Sequence, residues 1–208
     1  MGASVGVAQY GKDLIKLILS TLYESSKFKP SLVAPGGFYE KYWYDRLLQV
    51  SGLGIINVLT HHLYNLGPGS DEHLERKILD HERLSRVESI FGNLSEIIKI
   101  YGPWSSAWVG EAGGAYNSGV NHVSNRFLNS FWYLDQLGIA SCYNTKVYCR
   151  QTLIGGNYDL LNTTTFAPNP NYYSALLWHR LMGKKVLAVS SDVHIKDFYL
   201  QLGNVSRS

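Results

Sequence analysis

The chain has 208 residues, 45% of them hydrophobic, enough for one sizeable core. Lys and Arg number 19 against 16 Asp and Glu, a net charge of +3, and the basic residues fall in scattered pairs such as Lys27 with Lys29 and Arg83 with Arg86. That pattern argues against a polyanion-binding stripe or a nucleic-acid partner, and no apolar run is long enough to span a membrane, because Lys16 and Ser20 interrupt Leu14–Leu22.

Met1–Gly6 lacks the charged and apolar regions of a signal peptide, and Gly6 stands where a myristoylation motif carries Ser or Thr. Residues 8–25 read as an amphipathic helix with Leu14, Ile15, Ile18, Leu19 and Leu22 on its apolar face. Ser31–Ala34 is a short strand stopped by Pro35-Gly36-Gly37. Tyr39–Val50 reads as the next helix, Ile55–His61 as a buried strand, and Ile78–Tyr101 as one long helix closed by Gly102-Pro103.

Ser106–Val109 is a further strand, with Glu111 expected where it gives way to the Gly-rich loop around Gly110, Gly113 and Gly114. Val123–Leu137 is predicted helical through Phe127, Phe131 and Leu134, with Gly138 ending it. Thr145–Arg150 is a strand, Pro170 begins a helix over Asn171–Met182, and Lys185–Ser190 is a last strand. Cys142 and Cys149 allow at most one bridge and are equally compatible with two thiols. Asn93, Asn162 and Asn204 begin glycosylation sequons, meaningful if the chain enters the secretory route.

Helix and strand thus alternate with short connections, which predicts a parallel α/β architecture. Four strands, near residues 31, 56, 107 and 147, amount to about half of a (β/α)8 barrel, which takes eight strands and about 250 residues. In such a barrel the chemistry is built at the strand ends, where Glu111 lies. The glycines beside it let a ligand approach the backbone closely. A surface Glu on a Gly-rich turn is the plainer reading of the same stretch.

His61 and His62 are adjacent on an extended segment, so their side chains point to opposite faces and make a poor metal pair. With no His-Glu-x-x-His motif elsewhere, neither a metal nor another cofactor is expected. Of the two, His61 reads as the packed histidine.

The run Trp-Val-Gly-Glu-Ala-Gly-Gly-Ala-Tyr-Asn-Ser-Gly (Trp108–Gly119) resembles the nucleophile strand of the plant heparanase-like endo-β-glucuronidases of glycoside hydrolase family 79. The resemblance continues through Asn125–Leu137, Tyr148–Asn162 and Phe166–Lys185, and upstream through Ala8–Leu17 and Thr60–Gly69. It implies the second half of a TIM barrel, strands 5–8 with their helices, over residues 1–183. Residues 184–208 would then begin the β-sandwich that packs on the barrel, or form a tail.

The resemblance also implies the activity: retaining hydrolysis of β-glucuronosyl linkages in a glucuronate-containing glycan or proteoglycan. Glu111 corresponds to the nucleophile and Tyr64 to the tyrosine that orients it. A phenol can donate to a carboxylate, so the pairing is chemically sound. His62 and Tyr116 match sugar-subsite residues. Gln151, Gly156 and Tyr158 match the loop that grips the uronate carboxylate, for which a backbone N–H and a hydroxyl are suitable donors. Asn117 and Ser118 stand where animal heparanases have two glycines.

A retaining mechanism needs a second carboxyl about 5–5.5 Å from the first. Glu40, Glu72, Glu75, Asp80 and Glu82 lie on polar stretches and do not qualify. The family's acid/base Glu, in an Asn-Glu pair, would lie just upstream of Met1. A truncated, non-catalytic paralogue that binds a glycan or a partner is therefore the alternative, and a partial sequence of a full-length enzyme the third reading. The family implies secretion to the cell wall or residence in a lysosome or vacuole, and some association with membranes.

Overall fold

Two of the described helices begin where a side chain, Glu40 or Asp80, satisfies their open N–H groups. The structure, a computed structural model, describes residues 4–20, 25 and 27–187, and the backbone of 200–201. Gly2, Leu22, Ala188–Ser190 and Asn204, singled out above, lie outside the described residues. The first helix, α1 (Val7–Ile18), starts after an extended Gly6. Glu40 caps α2 (Lys41–Ser51), its carboxylate accepting from the Tyr42 and Trp43 amides at 3.1 and 2.6 Å.

The long helix expected over Ile78–Tyr101 is instead three: α3 (Leu74–Leu79), α4 (His81–Ser85) and α5 (Glu88–Tyr101). Asp80 is the reason for the first break. Its backbone is extended (φ −90°, ψ 96°) and its side chain accepts from Arg83 N at 3.0 Å, so it starts a new helix rather than continuing the old one.

The helix expected over Val123–Leu137 is likewise shifted, to α6 (Asn129–Cys142). Gly138 does not end it but is buried inside it. Phe127, Phe131 and Leu134 are exposed, and the buried face carries Trp132, Tyr133, Gln136, Ile139 and Ala140. Phe127 thus precedes the helix, and Phe131 and Leu134 lie on its solvent side. Pro170 opens α7 (Pro170–Leu181) from the first turn, where it costs no hydrogen bond.

Four strands form one parallel sheet in the order β1 (Val33–Ala34), β2 (Val58–Leu63), β4 (Ser106–Ala112), β6 (Val147–Arg150). Each follows its predecessor in sequence through a helical crossover, as expected from the alternation. Two further two-residue strands, β3 (Gly67–Pro68) and β5 (Ala115–Tyr116), pair in parallel and had no signature in the sequence. They join the loops that follow β2 and β4. Further on, β7 (Val186–Leu187) pairs antiparallel with β8 (Leu200–Gln201). Cys142 and Cys149 are not joined by a disulfide.

The outer side of the sheet carries the core. One cluster gathers Leu63, Val109 and Ala112 of the strands with Phe91 and Trp132 of the helices, and a second gathers Leu59, Leu47, Leu48 and Ile97. Burying each such large side chain stabilises the fold by roughly 1.5–3 kcal/mol before chain entropy is counted. From α1, Leu14 joins this core, whereas Leu19 is exposed, so the predicted apolar face is only partly used.

One irregularity positions the chemistry. His61 pairs with Val109 and His62 with Glu111, so β4 has one residue more than β2, at Gly110. Side chains alternate along a strand, and an extra residue reverses the alternation beyond it. Val109 and Ala112, three apart, consequently both face the helix layer, and Glu111 joins His62 on the inner face. Glu111 therefore lies within the strand rather than on the loop after it.

Candidate active site

Glu111 is the centre of the inner face. Its Oε1 accepts a hydrogen bond from the Tyr64 hydroxyl at 2.6 Å, and its Oε2 lies 3.6 Å from His62 Nδ1. The carboxylate side chain keeps 39% of its surface exposed, so a ligand can reach it. Tyr64 also contacts Gln151 Oε1. A phenol has one proton to give, and the charged carboxylate is the stronger acceptor. The Gln151 amide is therefore best placed with its NH2 end toward Tyr64, the two ends being alike in shape. Burial first, and then the bond to Glu111, hold the Tyr64 pKa above the usual phenol value, so it remains a donor throughout the neutral range.

Tyr158 completes this group from the other side. A Cβ on Gly113 would fall 2.8 Å from Tyr64 Cε1 and 3.0 Å from Tyr158 Cε1, so the two rings flank that glycine. Gly119 and Gly156 press on the same Tyr158 ring, at 3.3 and 3.0 Å from their own hypothetical Cβ atoms. Tyr158 is consequently buried, and its phenol is close enough to Tyr64 to help raise the latter's pKa. Gly156 has φ +76°, a conformation that glycine adopts without penalty.

Of the residues expected at the site, Glu111, Tyr64, His62, Gln151 and Tyr158 converge, with Gly156 packed against the last. Tyr116 stands apart. It lies in β5 opposite Pro68, half exposed, with its carbonyl accepting from Gly69 N at 2.9 Å. After it, Asn117 and Ser118 both adopt the left-handed backbone, at φ +58° and +68°. The conformation that two glycines would provide is thus kept without them. It leaves the Ser118 carbonyl to accept from Asn157 N at 2.8 Å, docking the Tyr158 loop on the Glu111 loop.

His61 is the packed member of its pair, as expected: it is 0% exposed, edge-on to Phe91 with centroids 5.5 Å apart. Desolvation lowers its pKa to about 4, against a smaller opposing influence of the Trp108 backbone.

Two residues were missed in the sequence. Phe38 is 65% exposed and sets its edge on both His62 and Tyr64, with centroids 6.3 and 6.2 Å away. The Gly37 carbonyl accepts from His62 N at 2.7 Å, which fixes that segment beside the site. Arg150 lies half-buried behind the site, its guanidinium 5.2 and 5.1 Å from the Trp132 and Tyr133 ring centroids. An arginine in an otherwise apolar strand was a signal that could have been read.

Residues 1–138 match the family described as "Glycosyl hydrolase family 79, N-terminal domain". The chain belongs to glycosyl hydrolase family 79. This family 79 chain is 60% identical over 191 residues to heparanase-like protein 2 of Arabidopsis thaliana, covering 91% of itself and 35% of that relative. It is 44% identical over 201 residues to the baicalin-beta-D-glucuronidase of Scutellaria baicalensis, covering 94% of itself and 38% of the relative. It therefore spans little more than a third of the length of these curated relatives. Among solved structures, a 4-O-alpha-L-rhamnosyl-beta-D-glucuronidase from Fusarium oxysporum superposes with a TM-score of 0.63 at 16% identity, over 85% of this chain and 38% of that one. At that identity the likeness is one of fold.

Proposed function

We propose that this chain carries the nucleophile half of a retaining β-glucuronidase, with Glu111 attacking the anomeric carbon of a glucuronate-containing glycan. The observation that carries the reading is the Tyr64–Glu111 bond at 2.6 Å on an accessible inner face. One phenol O–H aims one carboxylate oxygen and leaves the other free to attack. In the first step Glu111 forms a bond to the anomeric carbon while the glycosidic bond breaks. A second carboxyl gives its proton to the departing oxygen. In the next step water, deprotonated by that same carboxyl, displaces Glu111 and restores it.

The second carboxyl is not among the described residues around Glu111. The reaction is accordingly proposed for a molecule in which another acidic residue faces this one. The same proposal takes β1, β2, β4 and β6 as strands 5–8 of a (β/α)8 barrel, for which the parallel order and the likeness to barrel hydrolases are the support. His62, Tyr116, Gln151, Gly156 and Tyr158 are assigned to the sugar, with Gln151 and Tyr158 nearest its carboxylate.

The test is stereochemical. The protein carrying this chain is expected to release β-glucuronate from an aryl β-glucuronide as the first-formed anomer, followed by NMR. A 2-fluoro glucuronide is expected to add its sugar mass to the peptide containing Glu111. Release of the α-anomer first, or labelling of a different residue, would overturn the assignment.

A further inference from the structure

A buried charge without a countercharge is costly, and a fold keeps one only where other groups compensate it. Arg150 approaches this case: its side chain is half-buried, its Nε is shut off from solvent without a hydrogen bond, and among the described residues no Asp or Glu forms an ion pair with it. Its guanidinium instead lies over three rings, Trp132, Tyr133 and Tyr158, at 5.2, 5.1 and 5.9 Å from their centroids. Its N–H groups reach three carbonyls. Nη1 donates to Ala112 O at 3.5 Å and also to Gln151 O, and Nη2 donates to Tyr158 O at 2.9 Å.

Those three carbonyls are not equivalent. Ala112 follows Glu111 on β4, whereas Gln151 and Tyr158 belong to the loop beyond β6. One planar cation therefore spans the two parts of the site. We propose that Arg150 is a positioning residue that sets the loop of Gln151 and Tyr158 at a fixed distance from the nucleophile strand, and thereby selects an anionic sugar.

The planar fork is what this role needs. A guanidinium offers several N–H groups in fixed directions and stacks on aromatic faces, whereas an ammonium is a point charge with neither property. Burial lowers the Arg150 pKa and the four neighbouring phenols oppose that change, but an arginine keeps its proton at any pH the protein meets. The charge is thus permanent and lies behind the loop, where it favours a carboxylate over a hydroxymethyl group in front. The Gln151 backbone N–H adds a second tie, donating to Ala112 O at 2.9 Å.

The choice of sugar rests on the glucuronidase reading above, whereas the positioning of the loop does not. The experiment therefore has two arms in the protein carrying this chain. In the first, Arg150→Lys and Arg150→Gln are assayed on matched aryl β-glucuronide and β-glucoside substrates. The expected result is a KM for the glucuronide raised at least tenfold in both variants, with kcat/KM for the glucoside changed less than threefold. Arg150→Gly should recover part of the glucuronide activity when guanidinium is added.

In the second arm, amide exchange is followed by mass spectrometry in wild type and Arg150→Lys. Exchange over residues 151–160 should rise at least tenfold while α2 is unchanged. Equal losses on both substrates, in step with a fall in melting temperature, would reduce Arg150 to a packing residue and overturn the proposal. Unchanged exchange over 151–160 would overturn it as well. A wild type inactive on both substrates would remove the glucuronidase reading and the sugar selection, and the exchange arm would still decide the positioning role.

Discussion

The two faces of the β2–β4 pair use the same residue type for opposite ends. His61 and His62 are neighbours in sequence, yet one is sealed against Phe91 and the other opens toward Glu111. On the outer face a polar ring behaves as a filler: neither nitrogen of His61 has a well-formed hydrogen bond, and burial keeps the ring neutral. On the inner face the polar groups act on one another, with Tyr64, Gln151 and His62 arranged about one carboxylate. Outer-face changes should therefore appear in stability and inner-face changes in rate.

The widest separation is expected between Glu111→Gln and His61→Leu. If Glu111 is the nucleophile, Glu111→Gln removes it from a half-exposed position, so kcat should fall by several orders of magnitude while melting stays within about 2 °C of wild type. His61→Leu keeps apolar volume and removes a polar ring without partners, so it should retain most activity. Glucuronide assays and melting curves on the pair check this. Substantial turnover in Glu111→Gln would break the comparison at its centre.

The second test is the acid side of the stability curve. The folded His61 pKa, about 4, is below its ordinary value of 6.5. The unfolded chain thus takes up a proton first as pH falls, and the stability from His61 is full above about pH 6.5 and lost between there and about 4. At about 1.4 kcal/mol per pKa unit, on the order of 3 kcal/mol is at stake. Denaturant titrations from pH 7 to 4 should show this slope in wild type and a flatter one in His61→Leu. Identical slopes would mean that His61 is not the group responsible.

The smallest effect is expected from Tyr158→Phe, which removes one hydroxyl from a ring already held by Gly113, Gly119 and Gly156. If that hydroxyl meets the uronate carboxylate, kcat/KM should drop about tenfold or more for a glucuronide and much less for a glucoside, since a hydrogen bond to a charged group is worth about 1.5–3 kcal/mol. Equal losses on the two substrates would make Tyr158 a packing residue alone.

The positions of the four main strands were legible because each is a short apolar run bounded by glycine, proline or a helix cap. The Tyr64–Glu111 pair was legible only through resemblance, since 47 residues separate them. Helix phase was less accessible. Phe127, Phe131 and Leu134 have helical spacing, but the core is filled from the opposite side by Trp132, whose indole N–H reaches Asn65 Oδ1 at 2.8 Å. That bond is long-range and leaves no periodic trace. The Asp80 break was visible as a capping residue, but the apolar spacing through it argued for continuity. Arg150 was hidden for the same reason as the β3–β5 pair: each is defined by groups brought together from distant stretches of chain.

Gly110 gives the strand its phase. Up to Val109 the chain counts in twos with its neighbour, and after Gly110 it counts one out of step. That step keeps Glu111 opposite His62 on the inner face and Ala112 opposite Leu63 on the helix side. Deleting this one residue would change composition and charge hardly at all. It would leave the carboxylate opposite His62 and Ala112 opposite Leu63, but it would take away the local bend and twist that set the carboxylate against the Tyr64 hydroxyl.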